Sequence, residues 1–218
     1  MNKLISALLI MLLPVLANAN TGAEAELTPA PINLDDKVSL QRGAQIFINN
    51  CLGCHSAHFM RYERMAEDLE IPADILKKNL LFTTDKAGDP MMTAMPKDLS
   101  KKWFGTTPPD LTLEARLRGA DWVYSYLTGF YPDESRPWKV NNHVFPSVGM
   151  PHVLSNMEKE LGEKEFKEAM ADLTNYMVYM AEPVRAQREH IGAWVLLFLA
   201  IFFIPVYFLN REYWKDVH

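Results

Sequence analysis

Cys51-Leu52-Gly53-Cys54-His55 is the stretch around which the rest of the sequence is organised. Its C-x-x-C-H spacing is the attachment signature of a c-type haem. Two thiols three positions apart can each bond to one of the two vinyl groups of the porphyrin, and the histidine that follows the second thiol can bind the iron. The sequence therefore predicts one haem c, attached covalently through Cys51 and Cys54, with His55 as an axial ligand.

Two other kinds of C-x-x-C site fit the sequence less well. A thioredoxin-like redox pair follows a strand in a βαβ unit, whereas the residues before Cys51 have helical spacing. A structural zinc site needs four ligands, and the chain has only two cysteines. A chance occurrence of this short pattern is the remaining alternative.

Composition bounds the class of protein. The 218 residues are enough for one domain with appendages, and the 49% that are hydrophobic support a substantial core. The formal net charge of −5 gives no indication of nucleic-acid binding, so no nucleic-acid partner is expected. Both cysteines lie in the haem motif, so no structural disulfide is expected either.

The amino terminus has the pattern of a signal peptide over residues 1–19. Lys3 is its positive region, residues 4–16 are apolar, and Ala17-Asn18-Ala19 is an A-x-A cleavage site. An uncleaved anchor helix is the alternative, but the 13 apolar residues fall short of the ~20 that a membrane span needs. The sequence therefore predicts export, with a haem domain over residues 20–185.

The carboxyl terminus has the pattern of a membrane anchor, which we predict over residues 186–212. Residues 191–209 carry no charge, and at ~1.5 Å per residue these 19 residues cover about 28 Å of a hydrocarbon core about 30 Å thick. Basic residues flank both ends similarly, so the orientation rests on the signal peptide. We therefore predict a periplasmic haem domain and a short cytoplasmic tail over residues 213–218.

The haem motif follows a predicted helix. Ser39 is expected to cap this helix at its start. Gly43 lies on its apolar side, where a missing side chain would let another helix approach closely. That apolar side recurs at helical spacing through Leu40, Ala44, Phe47 and Cys51.

The remainder of the domain is predicted to be helical with long loops. Ser155-Asn156-Met157-Glu158 is a capping box, which predicts the start of a last helix before a break at Pro183. No strands of consequence are expected. The sequence therefore predicts a mostly α fold, a class I cytochrome c-like haem domain with one carboxy-terminal transmembrane helix. The other predicted helices cover residues 61–69, 72–80, 110–118 and 121–128, and the predicted loops cover residues 83–110 and 130–152.

The second axial position of the iron needs a thioether or an imidazole. Met150 stands in Val148-Gly149-Met150-Pro151, where glycine permits close approach to the ring and proline stiffens the loop. Arg116 and Arg118 follow a Pro-Pro-Asp-Leu turn, and their guanidinium groups could bind haem propionates or equally be solvated at a helix end. Spacing alone leaves open the other candidate ligands, which are Met91, Met92, Met95, Met157, His143 and His152.

Taken together, these motifs resemble those of the cytochrome c1 family, the haem-c subunit of the bacterial cytochrome bc1 complex (ubiquinol–cytochrome c reductase). The resemblance covers most of the predicted mature chain, and the elements beyond the haem motif are more specific than C-x-x-C-H itself. These elements are Arg61-Tyr62, Pro108-Pro109-Asp110-Leu111 with Arg116 and Arg118, Tyr124 to Gly129, Val144-Phe145-Pro146, Gly149-Met150-Pro151, and Ala181-Glu182-Pro183 before the anchor.

The resemblance implies roles for individual residues. It implies that Met150 is the second iron ligand, that Arg118 lies near a haem propionate, and that Pro109 packs on the haem. The sequence departs from the family at Trp122, where a tyrosine is often found near the propionates. It also departs at Gly105-Thr106-Thr107, where an asparagine-containing stretch is common. Neither departure touches the predicted iron ligands.

The resemblance also implies electron transfer. A member of this family takes electrons from the Rieske iron–sulfur protein beside cytochrome b, passes them to cytochrome c, and is held by membrane lipid in the bacterial inner membrane. No residue of this chain is then expected to act as a catalytic acid, base or nucleophile. The alternatives are a membrane-anchored c-type cytochrome subunit of an oxidase or a periplasmic dehydrogenase, a haem enzyme or sensor with an open iron position, and an assembly protein with an incidental C-x-x-C-H.

Overall fold

The structure, a computed structural model, describes residues 26–216. The predicted signal peptide, residues 1–19, and the last two residues of the predicted tail lie outside the described residues. Within that range the chain forms eight helices and four short strands, which confirms the prediction of a mostly α fold. The helices are α1 (Lys37–Asn50), α2 (Tyr62–Asp68), α3 (Ala73–Asn79), α4 (Lys97–Phe104), α5 (Glu114–Arg118), α6 (Ala120–Thr128), α7 (Ser155–Ala181) and α8 (Arg185–Tyr213), and the strands are β1 (Ala57–Arg61), β2 (Pro90–Met91), β3 (Phe130–Pro132) and β4 (Val140–Asn142).

The strands form two separate antiparallel pairs, β1 with β2 and β3 with β4. The longest strand, β1, has five residues and is buried at Ala57 and Met60, so its burial does not alternate and no period of two marks it in the sequence. The prediction of uninterrupted loops over residues 83–110 and 130–152 is therefore wrong where β2, α4, β3 and β4 form. The two pairs matter for the site because β1 follows the haem motif directly and β4 precedes the segment that contains Met150.

Helix α1 starts three residues earlier than predicted. Asp36, not Ser39, occupies the capping position, and its carboxylate accepts a hydrogen bond from the Ser39 backbone N–H at 3.0 Å. The Ser39 hydroxyl instead accepts a hydrogen bond from the Asn175 side chain at 3.1 Å, so it joins α1 to α7. The predicted apolar side of α1 is buried: Leu40, Ala44, Phe47 and, just after the helix, Cys51.

Helices α1 and α7 pack against each other at Gly43. A Cβ atom at this position would lie 2.7 Å from the Cβ of Tyr176, and the carbonyl oxygen of Asp172 is closer still. Next to this contact, Arg42 Nη2 donates to Asp172 Oδ1 at 2.9 Å. The predicted close approach of a second helix at Gly43 is confirmed, and it fixes α7 across the helix that carries the haem motif.

Helix α7 begins at Ser155 without a side-chain cap, so the predicted capping box does not form. Leu154 occupies the capping position because Ser155 is already helical, and the Glu158 carboxylate instead lies 2.8 Å from Nε2 of His152. Gly162, with φ 75° and ψ 169°, interrupts the helical conformation inside α7. Beyond this interruption the predicted apolar side is buried: Phe166, Met170, Leu173, Met177 and Met180.

Helix α8 is exposed along its length and contains Pro205. Among the described residues it is the one helix that is long and apolar enough to cross a membrane. It exceeds the predicted anchor, residues 186–212, by one residue at each end. The predicted break at Pro183 is confirmed because it lies in the link between α7 and α8.

One carboxylate ties this link to the rest of the domain. Oε1 of Glu182 accepts a hydrogen bond from Nε of Arg188 at 2.7 Å, and Oε2 lies 3.9 Å from Nη1 of Arg116. The hydrogen bond from Arg188 is the main reason why the pKa of Glu182 is below its ordinary value. Glu182 therefore connects the start of α8 with α5.

Candidate haem site

The haem motif forms a tight turn directly after α1. The backbone N–H groups of Cys54 and His55 donate to the carbonyl oxygen of Cys51 at 3.0 and 2.8 Å. The Thr93 hydroxyl donates to the Gly53 carbonyl at 2.8 Å and holds the middle of the turn. Neither thiol is in a disulfide, and burial raises the pKa of Cys51 to about 12. Both thiols therefore remain available for the thioether bonds that the motif predicts.

His55 is buried, and one of its ring nitrogens already has a partner. Its Nδ1 lies 2.8 Å from the carbonyl oxygen of Pro109, so Nδ1 carries the proton and donates. Burial lowers the pKa of His55, which favours the neutral ring. Histidines that bind metals generally donate their second N–H to such a partner. This geometry leaves the Nε2 lone pair for an iron, and Pro109 contributes its carbonyl group to the site.

Met150 lies beside Tyr126. The Tyr126 hydroxyl donates a hydrogen bond to Sδ of Met150 at 3.4 Å. Burial raises the pKa of Tyr126 to about 12, so its hydroxyl stays protonated and remains a donor at neutral pH. Sequence reasoning missed Tyr126, although it lies within the Tyr124-to-Gly129 motif. Its position four residues after Trp122 on α6 was the available signal.

Two of the other methionines that could bind the iron, Met91 and Met92, contact residues other than Tyr126. Met91 is fully buried in the core, where its Sδ lies 3.6 Å from the Tyr176 hydroxyl. The Sδ of Met92 lies 3.2 Å from Nδ1 of His58. His152, one of the histidine alternatives, stacks on Phe130. Met91 and Met92 thus lie with Tyr176 and His58, whereas His152 lies against Phe130, close to the contact between Tyr126 and Met150.

Asn142 holds the start of the segment that leads to Met150. It is fully buried, and its Oδ1 accepts hydrogen bonds from the backbone N–H groups of Val144 and Phe145 at 2.9 and 3.1 Å. Its Nδ2 donates to the carbonyl oxygen of Tyr126 at 2.7 Å. One side chain therefore joins this segment to α6 at the residue that contacts Met150.

Arg136 and Asn141 hold the same segment closer to the methionine. Arg136 Nη2 donates to the carbonyl oxygens of Ser147 and Val148 at 2.7 and 3.3 Å. Asn141 Oδ1 accepts from the Ser147 N–H at 2.8 Å. Ser147 has a φ of 65°, a left-handed conformation that a non-glycine residue adopts only when its surroundings hold it there. Nothing in the sequence indicates these contacts beyond the tendency of asparagine to occur in turns.

A stacked column of side chains runs beside Met150. The Arg118 guanidinium carbon lies 4.3 Å from the ring centroid of Trp122. Trp122 stacks on Tyr126, with centroids 5.1 Å apart and planes 8° apart, and Phe130 meets Tyr126 edge-on at 5.3 Å. Trp122 and Tyr126 lie on one side of α6 because they are four residues apart in the helix. Arg118 at the end of α5 and Phe130 in β3 extend the column in the two directions.

Arg118 is the exposed end of this column. Its Nε donates to Oε2 of Glu114 at 2.8 Å, and its guanidinium face covers Trp122. The hydrogen bond to Glu114 uses one of the five guanidinium donors, so donors remain for a carboxylate ligand. The ring of Trp122, where the sequence departs from the family pattern, contacts both the Arg118 guanidinium group and the Tyr126 ring.

Comparison with known proteins gives a consistent result. Residues 30–217 match the model of the cytochrome C1 family. This chain belongs to the cytochrome c1 family. It is 45% identical, over an alignment of 245 positions that covers 100% of both chains, to a protein of Allochromatium vinosum named cytochrome c1. It is also 42% identical over 228 residues, covering 97% of both, to a protein of Nitrosomonas europaea named ammonia monooxygenase gamma subunit.

More distant relatives carry the same name. The mitochondrial haem protein cytochrome c1 of Saccharomyces cerevisiae is 28% identical over 238 residues, which cover 92% of this chain and 77% of the yeast protein. The resemblance inferred from the sequence motifs is thus confirmed at the level of the family.

The residues of this cytochrome c1 family member fit the haem c that the family implies. Two free thiols share one turn, and a buried histidine has its Nδ1 occupied and its Nε2 available. The predicted site residues fall into two contact groups. His55 lies with Pro109, and Met150 lies with Tyr126, which stacks on Trp122 beneath Arg118.

Proposed function

We propose that this chain carries one covalently attached haem c and transfers single electrons as the cytochrome c1 subunit of a ubiquinol–cytochrome c oxidoreductase. Its donor is the Rieske iron–sulfur protein, its acceptor is cytochrome c, and cytochrome b is its neighbour in the membrane. The observation that carries the proposal is the 45% identity over the whole chain to a protein named cytochrome c1. The local geometry at His55 and Met150 adds support.

The residues of the chain have distinct tasks in this proposal. Cys51 and Cys54 hold the haem covalently, while His55 and Met150 supply the two axial ligands. Arg118 offers its free guanidinium donors to a propionate. When bound, the haem supplies a one-electron ferric–ferrous couple. Pro109 fixes the orientation of the His55 ring through its carbonyl oxygen at 2.8 Å. No side chain has to move a proton or attack a substrate.

The proposal places the protein in the bacterial inner membrane, which it crosses once. Helix α8 supports this because it is long, apolar and exposed in the described part of the chain. The predicted signal peptide, residues 1–19, supports a periplasmic haem domain over residues 20–185. With residues 186–212 in the lipid, residues 213–218 then lie in the cytoplasm.

The iron ligation is tested by absorption spectra of the full-length protein and two variants. The wild type should keep its haem after denaturation, because the attachment is covalent, and should show the thioether–iron charge-transfer band. Met150→Leu should lose this band, whereas Met157→Leu, which alters a half-buried methionine on α7, should keep it. An unchanged band in Met150→Leu would refute the ligand assignment.

A second candidate function is a membrane-anchored c-type cytochrome that serves an oxidase or a dehydrogenase instead. The relative in Nitrosomonas europaea, 42% identical, favours a function with an enzyme other than ubiquinol–cytochrome c oxidoreductase, because that protein is named ammonia monooxygenase gamma subunit. Purification of the intact complex from membranes separates the two functions. Our proposal requires b-type haem and the electron paramagnetic resonance signal of a Rieske cluster in the same complex, and their absence would favour the second function.

A further inference from the structure

The hydrogen bond between Tyr126 and Met150 is compatible with iron ligation. The hydroxyl donates to Sδ at 3.4 Å, within the range of hydrogen bonds to sulfur. A thioether sulfur has two lone pairs. One can bind the iron while the other accepts the hydrogen bond, so the two interactions do not compete.

The ring of Tyr126 is held in place from several directions. Trp122 stacks on it at 5.1 Å and Phe130 meets it edge-on at 5.3 Å. Its backbone carbonyl accepts a hydrogen bond from Asn142 at 2.7 Å, and Asn142 also binds the start of the Met150 segment. The hydroxyl and the sulfur are therefore positioned by connected parts of the structure.

We propose that Tyr126 is a positioning residue that raises the reduction potential of the haem by donating its hydrogen bond to the coordinated sulfur of Met150. This inference rests on the proposed function, because it requires Met150 to be the ligand. The hydrogen bond draws electron density from the sulfur, and it places the positive end of the O–H dipole at the sulfur that would bind the iron. Both effects disfavour the additional positive charge of the ferric state.

The expected size of the effect follows from the strength of such a bond. A hydrogen bond in a protein makes only a modest net contribution to free energy, and its preference for the ferrous over the ferric state is part of that contribution. We therefore expect removal of the hydroxyl to increase the ferric-to-ferrous ratio at fixed potential roughly two- to fivefold. For a one-electron couple, at 59 mV per factor of ten, this is a downward shift of about 20–40 mV.

The test compares Tyr126→Phe with the wild type in the full-length haem protein. Phenylalanine keeps the ring between Trp122 and Phe130 and removes only the hydroxyl. Tyr124→Phe removes a hydroxyl from the buried side of the same helix and is the matched control. Each protein is examined by redox titration and by its charge-transfer band, neither of which depends on electron transfer to a partner.

The proposal predicts that Tyr126→Phe keeps the charge-transfer band and has a lower midpoint potential, with Tyr124→Phe unchanged in both. An unchanged potential in Tyr126→Phe would overturn it, as would an equal shift in Tyr124→Phe. Loss of the band in Tyr126→Phe would overturn it too, because the hydroxyl would then be needed for ligation itself. If the wild type lacks the band, or Met150→Leu keeps it, the ligand assignment fails instead, and the two failures are distinguishable.

Discussion

The Nδ1 atom of His55 lies 2.8 Å from the carbonyl oxygen of Pro109, although 54 residues separate them in the chain. This contact joins the haem motif to the Pro108-Pro109-Asp110-Leu111 turn. A second hydrogen bond, from the Leu111 N–H to the Ser56 carbonyl at 2.9 Å, joins the same two segments. The orientation of the proximal histidine therefore depends on a turn that is distant in sequence, and the residues that stabilise this turn are open to test.

Asp110→Ala is expected to loosen this turn and to lower the stability of the haem protein. The Asp110 carboxylate accepts from the His58 N–H at 2.8 Å, and from the Thr112 N–H and hydroxyl at 2.9 and 2.6 Å. Losing these three bonds at an exposed site should cost about 2 kcal/mol, or roughly 4–8 °C in Tm. Thermal unfolding in detergent measures this loss. Asp110→Asn keeps one acceptor oxygen, so its Tm should lie between those of the wild type and Asp110→Ala. Equal Tm values for all three proteins would contradict the prediction.

Arg136→Met is expected to make the iron easier for outside ligands to reach. Arg136 holds the carbonyl oxygens of Ser147 and Val148, just before Met150. A looser segment lets the methionine dissociate more readily, so imidazole should bind the ferric protein about tenfold more tightly, which corresponds to ~1.4 kcal/mol. Spectroscopic titration measures this affinity. Lys139→Met, at an exposed ion pair with Glu134, is the control and should leave the affinity unchanged.

Gly43→Ala is expected to destabilise the domain, even though alanine favours helices by about 1 kcal/mol over glycine. The new methyl group would meet Tyr176 and the Asp172 carbonyl at distances that force α1 and α7 apart. Overpacking of this kind costs about 1–3 kcal/mol or more, so a net fall in Tm should be seen. Gly88→Ala, where the nearest atom is a side-chain oxygen at 3.6 Å, should have no comparable effect.

Tyr176→Phe is expected to change how stability depends on alkaline pH. Burial raises the pKa of Tyr176 above the ordinary value of about 10. The unfolded chain releases this proton at a lower pH than the folded protein, so the contribution to stability is complete below about pH 10 and declines above it. In the variant, the free energy of unfolding should fall with rising pH less steeply than in the wild type, by about 1.4 kcal/mol per pH unit.

Unfolding measured at several pH values between about 10 and 12 tests the Tyr176 prediction. Phe47→Leu is the control, because it disturbs a ring 5.6 Å from the Tyr176 ring without removing a titrating group. Its loss of stability should be the same at each pH. Parallel curves for wild type and Tyr176→Phe would show that this hydroxyl is not responsible for the alkaline decline.

The parts of the fold that were predicted correctly depend on local patterns. The apolar side of α1 repeats at helical spacing, and Gly43 stands out on it because a glycine inside a helix needs a packing reason. The length and uncharged composition of α8 are equally local. Each of these signals can be read within one turn or one segment, without knowing what lies across the domain.

The parts that were missed depend on contacts between distant segments. Ser39 and Ser155 both have the composition of helix caps, yet Asp36 caps α1, and Ser155 is already inside α7. The sequence alone indicates only a surface residue at Arg136, because its contacts with Ser147 and Val148 are visible only in the structure. Strands β2 and β3, with two and three residues, have no pattern long enough to detect without their partners.

The link between α7 and α8 has a mechanical consequence. Three residues separate Ala181 from Arg185, and the four Cα–Cα steps between these two residues, at ~3.5 Å each, reach at most about 14 Å even if Glu182 releases Arg188. If α8 is fixed in a bilayer, this short link keeps the domain close to the membrane surface and prevents it from diffusing away. In the proposed electron transfer, a redox centre beyond the reach of this link therefore has to move to the domain, and any long-range diffusion is by the partner proteins.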